Sequence, residues 1–157
     1  MFAENTTDEV AANHRAIMVV DDNPMALNFF SLLLRKAGYY VFEAGSARMA
    51  MAYAKAGHRF DLLLTDFQMP EMNGLELAAW FRNRQPEISV LVVTGSPALA
   101  QIHGGFHPSF VCRAKTWNTK KLVGTVAAML ALRDERARDG GQARSARETK
   151  TIPFTFY

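Results

Sequence analysis

The segment Leu62-Leu63-Leu64-Thr65-Asp66-Phe67-Gln68-Met69-Pro70-Glu71-Met72-Asn73-Gly74 places a carboxylate directly after an apolar run and directly before a loop. A short, unbroken apolar run is typical of a strand that is buried on both faces of a parallel sheet. Proline, asparagine and glycine are favoured in turns because of the backbone angles that they adopt. We therefore predict a buried strand over residues 60–65 that presents Asp66 at its carboxyl end.

Three further apolar runs also end beside polar side chains. In a parallel α/β sheet, the carboxyl ends of the strands lie along one edge, and ligands bind in the crevice outside that edge. Three carboxylates, one hydroxyl and one ammonium group are therefore expected to converge. The residues at these four strand ends are Asp21 and Asp22, Asp66, Thr94, and Lys115.

Strand-like and helix-like segments alternate along the chain, which predicts an α/β fold with helices on both faces of a parallel sheet. The final predicted helix begins at Asn118 and ends near Arg133, and the one before it is short and interrupted by glycines. The predicted strands cover residues 16–20, 39–43, 60–65, 89–94 and 110–113, and the predicted helices cover residues 25–37, 46–55, 75–84, 97–102 and 118–133.

The length of 157 residues predicts one domain. We assign residues 1–15 to a flexible leader, residues 16–133 to the folded domain, and residues 134–157 to a disordered basic tail with an apolar C-terminal segment. That segment, Thr151–Tyr157, alternates apolar with other residues, as a short extended docking segment does. We expect it to bind a partner or the domain face around Phe110 and Trp117.

The composition of the chain indicates its cellular compartment and argues against some classes of partner. Cys112 is the single cysteine, which excludes an internal disulfide framework and suits a reducing compartment, so we expect a cytoplasmic protein. No apolar stretch is long enough to cross a bilayer, so no membrane partner is expected. The formal charge of +3 is too small to favour direct nucleic-acid binding.

The chemistry of the predicted crevice depends on its members acting together, because each alone has an ordinary structural role as a turn residue, a helix-terminal charge or a surface lysine. Clustered carboxylates favour a hard divalent cation such as Mg²⁺, which takes one or two protein carboxylates together with phosphate oxygens. Lys115 and Thr94 could hold phosphate oxygens, and Asp66 could act as the nucleophile. These groups suit formation of an aspartyl phosphate.

The order and spacing of these motifs resemble the receiver domain of bacterial response regulators, particularly the single-domain chemotaxis type. The matching features are the pair Asp21-Asp22, the loop from Asp66 to Gly74, Thr94 and Lys115, and they cover roughly residues 15–133. The resemblance implies a doubly wound (βα)5 flavodoxin-like sandwich, with a five-stranded parallel sheet in the order 2-1-3-4-5.

The resemblance also implies residue roles. Asp66 would accept a phosphoryl group from the phosphohistidine of a histidine kinase or phosphotransfer protein. Asp22, Asp66 and the backbone carbonyl of Gln68 would bind Mg²⁺ directly, and Asp21 would act through a metal-bound water. Thr94 and Lys115 would hold the phosphoryl oxygens and transmit the change to a downstream protein target. Such a protein is not an enzyme beyond its own phosphorylation and autodephosphorylation.

Three features depart from the family pattern. Thr116 follows Lys115 where the family usually has proline after a cis bond, so we predict a trans bond there. Cys112 occupies the position of the usual switch aromatic, and the helix over residues 97–102 is short. The sequence therefore supports the phosphorylation chemistry better than the usual aromatic switch.

Two alternative functions remain open. One is a phosphorylation-independent adaptor that keeps the receiver fold as an interaction surface, although the complete acidic, Thr and Lys set argues against it. The other is a phosphohydrolase with an aspartyl nucleophile, but Asp21-Asp22-Asn23-Pro24 does not match the usual motif after the first strand of haloacid-dehalogenase-like phosphatases. No recognisable DNA-binding or enzymatic output domain fits in the residues after 133.

Overall fold

The computed structural model describes residues 14–96, 98, 110–115 and 118–142, with the backbone alone for residues 110–114 and 141–142. The predicted helix over residues 97–102 apart from residue 98, the Lys115–Thr116 bond, the side chain of Cys112 and the segment Thr151–Tyr157 lie outside this description. Among the helices of the described part, none combines the length and the apolar character needed to cross a membrane.

A parallel sheet forms the centre of the molecule. Its strands are β1 (Ala16–Val20), β2 (Tyr40–Ala44), β3 (Leu62–Asp66), β4 (Ser89–Thr94) and β5 (Phe110–Ala114), in the spatial order β2-β1-β3-β4-β5. Asp66 lies opposite Val93 in the register of β3 and β4, and Thr94 lies opposite Ala114 in that of β4 and β5. The carboxyl ends of β3, β4 and β5 are therefore level, and the predicted α/β flavodoxin-like class with a parallel sheet is confirmed.

Four helices are described: α1 (Pro24–Lys36), α2 (Ala47–Lys55), α3 (Gly74–Arg84) and α4 (Thr119–Gln142). The first three begin at side-chain caps, because the oxygens of Asn23, Ser46 and Asn73 accept hydrogen bonds from backbone N–H groups of the first turn. Asn73 and Glu76 form a complete capping box. Asn23 and Ser46 follow the ends of β1 and β2 within three residues, so these two caps fix the short loops after those strands.

The helices cover the sheet in two layers, because successive strand residues point to opposite faces. Ile17, Val19, Leu62 and Leu64 face α1 and α4, whereas Met18, Val20 and Leu63 face α2 and α3. In α1, Phe30 is buried, whereas Phe29, which lies about 100° around the helix from Phe30, is 49% exposed.

Helix α4 continues to Gln142, well beyond the end predicted near Arg133. Arg133 donates to the Glu87 carbonyl oxygen at 2.9 Å and pairs with Asp61 at 2.9 Å, and Asp134 pairs with Arg15. These contacts hold the helix against the amino-terminal edge of the sheet, and the mixed charges that follow suit helical pairing at three- and four-residue spacing. The expectation of disorder from Asp134 is therefore wrong for residues 134–142.

Candidate functional site

Three carboxylates meet at the carboxyl edge of the sheet. Asp66 is the last residue of β3 and is 7% exposed, Asp21 follows β1 and is 1% exposed, and Asp22 is exposed. One carboxylate oxygen from each lies within 4.8 Å of the others. The convergence expected from the strand ends is thus present, with two buried acids and one acid open to solvent.

Backbone contacts hold Asp21 in place. Its N–H donates to the Ala44 carbonyl oxygen at 3.2 Å, which joins the β1 end to the β2 end. Its Oδ1 accepts the N–H of Asn23 at 2.9 Å, the residue that caps α1. The Asp21 carboxylate therefore has one oxygen committed to the loop and the other directed to its neighbours in the site.

Lys115 supplies a cation inside this acidic cluster. Its Nζ lies 2.8 Å from Asp21 Oδ2 and 3.3 Å from Asp66 Oδ1. Its backbone N–H donates to the Thr94 carbonyl oxygen at 2.6 Å, which fixes where the chain leaves β5. The pairing of Lys115 with Asp21 was not foreseen from sequence, because strand-end positions do not reveal which carboxylate a flexible lysine will reach.

Electrostatics at the site follow from burial and crowding. Burial raises the pKa of Asp66, the charge of Asp21 raises it further, and Lys115 and the backbone N–H of Gln68 oppose the rise only in part. Burial alone would lower the pKa of Lys115. Asp21 and Asp66 accept hydrogen bonds from its ammonium group and carry negative charge, and together they outweigh burial, so the pKa of Lys115 is raised. Lys115 therefore stays cationic, while the ionised form of Asp66 calls for additional positive charge.

The loop after β3 approaches the backbone of Asp66 closely. Gly74 donates its N–H to the Phe67 carbonyl oxygen at 2.8 Å, and Phe67 donates to Val93 in β4 at 2.8 Å. A Cβ atom added at Gly74 would lie 2.3 Å from the carbonyl oxygen of Asp66. Only glycine fits here, so the residue holds the start of α3 directly against the candidate acceptor.

Thr94 and Gln68 have different positions relative to the cluster. Thr94 ends β4 fully buried, and its Oγ1 accepts the N–H of Ser96 at 3.1 Å. Gln68 is exposed, and its backbone N–H donates to Asp66. The described contacts therefore join Gln68 directly to Asp66, and join Thr94 to the cluster through the backbone of Lys115.

The loop after β2 forms one side of the site, and the sequence analysis did not identify it. A groove of about 260 Å³ opens beside Asp22, between this loop and the loop after β3, and the ion pair of Arg48 with Glu71 at 3.5 Å spans it. The position of the loop after β2 in the sequence could have indicated it, because Gly45 and Ser46 follow the end of a strand just as the other site residues do. The groove lining is Asp22, Gly45, Ser46, Arg48, Met69, Pro70 and Glu71.

Comparison with known proteins agrees with this arrangement. The family described as response regulator receiver domain matches residues 17–108, which is more than half of the chain. The chain belongs to this family. This membership confirms the resemblance, and receiver domains of response regulators are signalling proteins of two-component systems.

Individual relatives extend the comparison. The chain is 40% identical over 89 residues to the response regulator receiver protein CpdR of Brucella abortus, covering 55% of this chain and 70% of that protein. It is 33% identical over 82 residues to the polar-differentiation response regulator DivK of Brucella ovis, covering 51% of this chain and 66% of that protein, just under two thirds.

A solved structure supports the fold. The receiver protein of Sinorhizobium medicae superposes with a TM-score of 0.69 at 24% identity, covering 78% of this chain and 98% of that one.

Proposed function

We propose that Asp66 of this receiver accepts a phosphoryl group from a phosphohistidine on a histidine kinase or phosphotransfer protein, and that phosphorylation alters binding to a downstream protein. The observation that carries the proposal is the Asp66 carboxylate at a strand end, 3.3 Å from the Lys115 ammonium and beside two further carboxylates. Among these acids, Asp66 combines near-complete burial with a position directly above the sheet edge, whereas Asp21 is held by Asn23 and Lys115.

The reaction is an exchange of bonds at phosphorus. An Asp66 oxygen forms the new P–O bond as the P–N bond of the phosphohistidine breaks, and the electron pair of that bond returns to the imidazole nitrogen. Lys115 then holds one phosphoryl oxygen, and the Thr94 hydroxyl donates to another. Hydrolysis reverses the modification when a water attacks phosphorus and the Asp66 carboxylate leaves.

The residues at the site fit a bound Mg²⁺. Hard oxygen donors are what this cation prefers, and the carboxylates of Asp21, Asp22 and Asp66 lie within reach of one ion. We assign direct contacts to Asp22, Asp66 and the Gln68 backbone carbonyl, and a water-mediated contact to Asp21. When bound, Mg²⁺ supplies the positive charge that neutralises the transferring phosphoryl group.

The proposal extends to the whole chain. The full arrangement would be a (βα)5 receiver with five parallel strands, acting in the cytoplasm through protein partners, without membrane or direct nucleic-acid binding. Thr94 and Lys115 carry the signal outward from the site, and Cys112 stands where the usual switch aromatic of the family would be. The end of α4 at Gln142 moves the predicted boundary between receiver and tail, and the rest of the division into leader, receiver and tail remains a prediction.

Intact mass after incubation with acetyl phosphate and Mg²⁺ tests the proposal. The wild-type chain should gain one phosphoryl group that hydroxylamine removes, and Asp66→Asn should gain none. Asp139→Asn, at an exposed carboxylate of α4, is the matched control and should be modified like the wild type. Equal uptake by Asp66→Asn would refute the assignment, and partner binding indifferent to phosphorylation would support the adaptor alternative instead.

A further inference from the structure

Helix α1 exposes a row of large apolar side chains. Met25 is 81% exposed, Phe29 is 49% exposed and Leu32 is 52% exposed. Their spacing of four and three residues aligns them on one side of the helix, opposite the buried Phe30 and Leu34. Large exposed apolar side chains that form a contiguous row mark an interaction surface, whereas scattered ones do not.

The row continues into a cleft between α1 and α4, two helices that cover the same face of the sheet. Phe29 and Leu33 line the α1 side of this cleft, and Asn118 and Leu122 line the α4 side. The surface is therefore an apolar strip that runs from the outer side of α1 to the first turns of α4. We call these residues of α1, Met25, Phe29, Leu32 and Leu33, the α1 strip.

The C-terminal segment of the same chain has the pattern to cover the α1 strip. Ile152, Phe154 and Phe156 alternate with other residues, so an extended backbone would direct all three to one side. Ile152 and Phe156 would then lie about 13 Å apart. The rise from Met25 to Leu32 along α1 is about 10 Å, so the two apolar rows match in length.

The connecting length also fits. Leu122 lies about 30 Å along α4 from Gln142, given the helical rise per residue. Residues 143–151 can span at most about 30 Å when extended. A chain that turns back after Gln142 and follows α4 would thus bring Ile152 to the level of Leu122, where the cleft opens towards Phe29 and Leu33.

Another surface that could receive an extended segment is the outer edge of β2, one of the two edge strands, and it is already covered. The backbone N–H of Tyr40 donates to the Arg15 carbonyl oxygen, and the Ala44 carbonyl oxygen accepts from the N–H of Asp21. Alternate residues of β2 therefore bond to β1, and the carbonyl group of Val41, which lies between them, points away from β1. Arg35 donates to that carbonyl oxygen at 3.2 Å and pairs with Glu43 at 2.7 Å. This arginine blocks the edge, as charged side chains do on edge strands.

We propose that Thr151–Tyr157 folds back onto the α1 strip of its own chain, with Ile152, Phe154 and Phe156 against Met25, Phe29 and Leu32. The contact is intramolecular because the linker gives the segment an effective concentration on the order of millimolar.

Two-dimensional NMR of the full chain tests the proposal. Deleting residues 151–157, or replacing Phe154 and Phe156 with serine, should shift the backbone amide resonances of α1 and of the first turn of α4. Thr155→Ser is the control within the segment, since it alternates with the docked side chains, and it should leave α1 unchanged. Unchanged α1 resonances on deletion would overturn the proposal.

A photoreactive phenylalanine at position 156 locates the contact. Cross-links should map to α1 within one chain, at a yield independent of protein concentration. Phe29→Gln together with Leu32→Gln should reduce that yield several-fold, whereas Met49→Gln, at an equally exposed apolar residue of α2, should leave it unchanged. Cross-links that map elsewhere, or that join two chains in a concentration-dependent way, would overturn the intramolecular contact.

Discussion

Replacing Gly74 with alanine should damage both the stability of the fold and the reactivity of Asp66. The new Cβ would lie 2.3 Å from the Asp66 carbonyl oxygen and 3.1 Å from both the Asp66 carbonyl carbon and the Phe67 Cα. Because optimal contacts of a carbon atom lie at about 3.5 Å, the backbone of Asp66 or of α3 must move by about 1 Å. All the atoms that must move belong to the backbone, so no side-chain rotation can relieve the contact.

The size of the effect follows from two opposing terms. Overpacking of this kind costs about 1–3 kcal/mol, while alanine gains at most about 1 kcal/mol in helix propensity over glycine. We expect Gly74→Ala to lower the free energy of unfolding by about 1–2 kcal/mol. Since a misplacement of about 1 Å can cost about a hundredfold in rate, phosphorylation of Asp66 should slow by about ten- to a hundredfold.

Chemical denaturation measures the first effect, and the rate of mass gain with acetyl phosphate and Mg²⁺ measures the second. Gly124→Ala is the matched control, because Gly124 lies within α4 and a Cβ there meets nothing within 4 Å. It should raise stability by about 0.5–1 kcal/mol and leave the rate unchanged. Wild-type stability and rate in Gly74→Ala would refute the close-approach argument.

Three further predictions concern charge at the site. Asp22→Ala should weaken Mg²⁺ binding by about tenfold or more, because it removes an exposed charged ligand; unchanged affinity in an NMR titration would contradict the metal assignment. Lys115→Met should lower the free energy of unfolding by about 2 kcal/mol, which is less than the cost of breaking a fully buried ion pair because the lysine is 26% exposed. Bound Mg²⁺ should restore part of this loss, and denaturation with and without Mg²⁺ measures both effects. Since burial raises the pKa of Asp66 above its ordinary 3.8, its charged form is penalised in the fold, so Asp66→Asn should stabilise the metal-free protein near neutral pH, with the gain vanishing as the pH falls below that value; a gain that persists at low pH would contradict this origin.

The sequence allowed prediction of the strand ends because the apolar runs stop abruptly at polar residues. Asp66 follows three buried leucines and a buried threonine, and the register then places it level with the ends of neighbouring strands. Helix starts were equally accessible, since the caps Asn23, Ser46 and Asn73 act on residues within their own first turn. These features depend on local sequence, and the arrangement of the candidate site follows from them.

Features that depend on distant contacts were not predictable. The extension of α4 past Arg133 relies on pairing of Asp134 with Arg15, residues separated by 119 positions. The partner of Lys115 depends on side-chain geometry across the sheet, which strand periodicity does not encode. Phe29 and Phe30 are adjacent, so the sequence alone does not show which of them faces the core; in the structure Phe30 is buried and Phe29 is exposed.

The pairing of Arg15 with Asp134 also brings the start of β1 close to the last part of α4, at the edge of the sheet remote from Asp66. If the residues before Arg15 and after Asp134 were removed, a short peptide could join these two residues, and the closed chain could be reopened at another surface loop. Proteins whose ends lie close together commonly tolerate such circular permutation. The receiver could therefore be re-ordered, or inserted whole into a surface loop of a host protein, with its acidic edge left unobstructed.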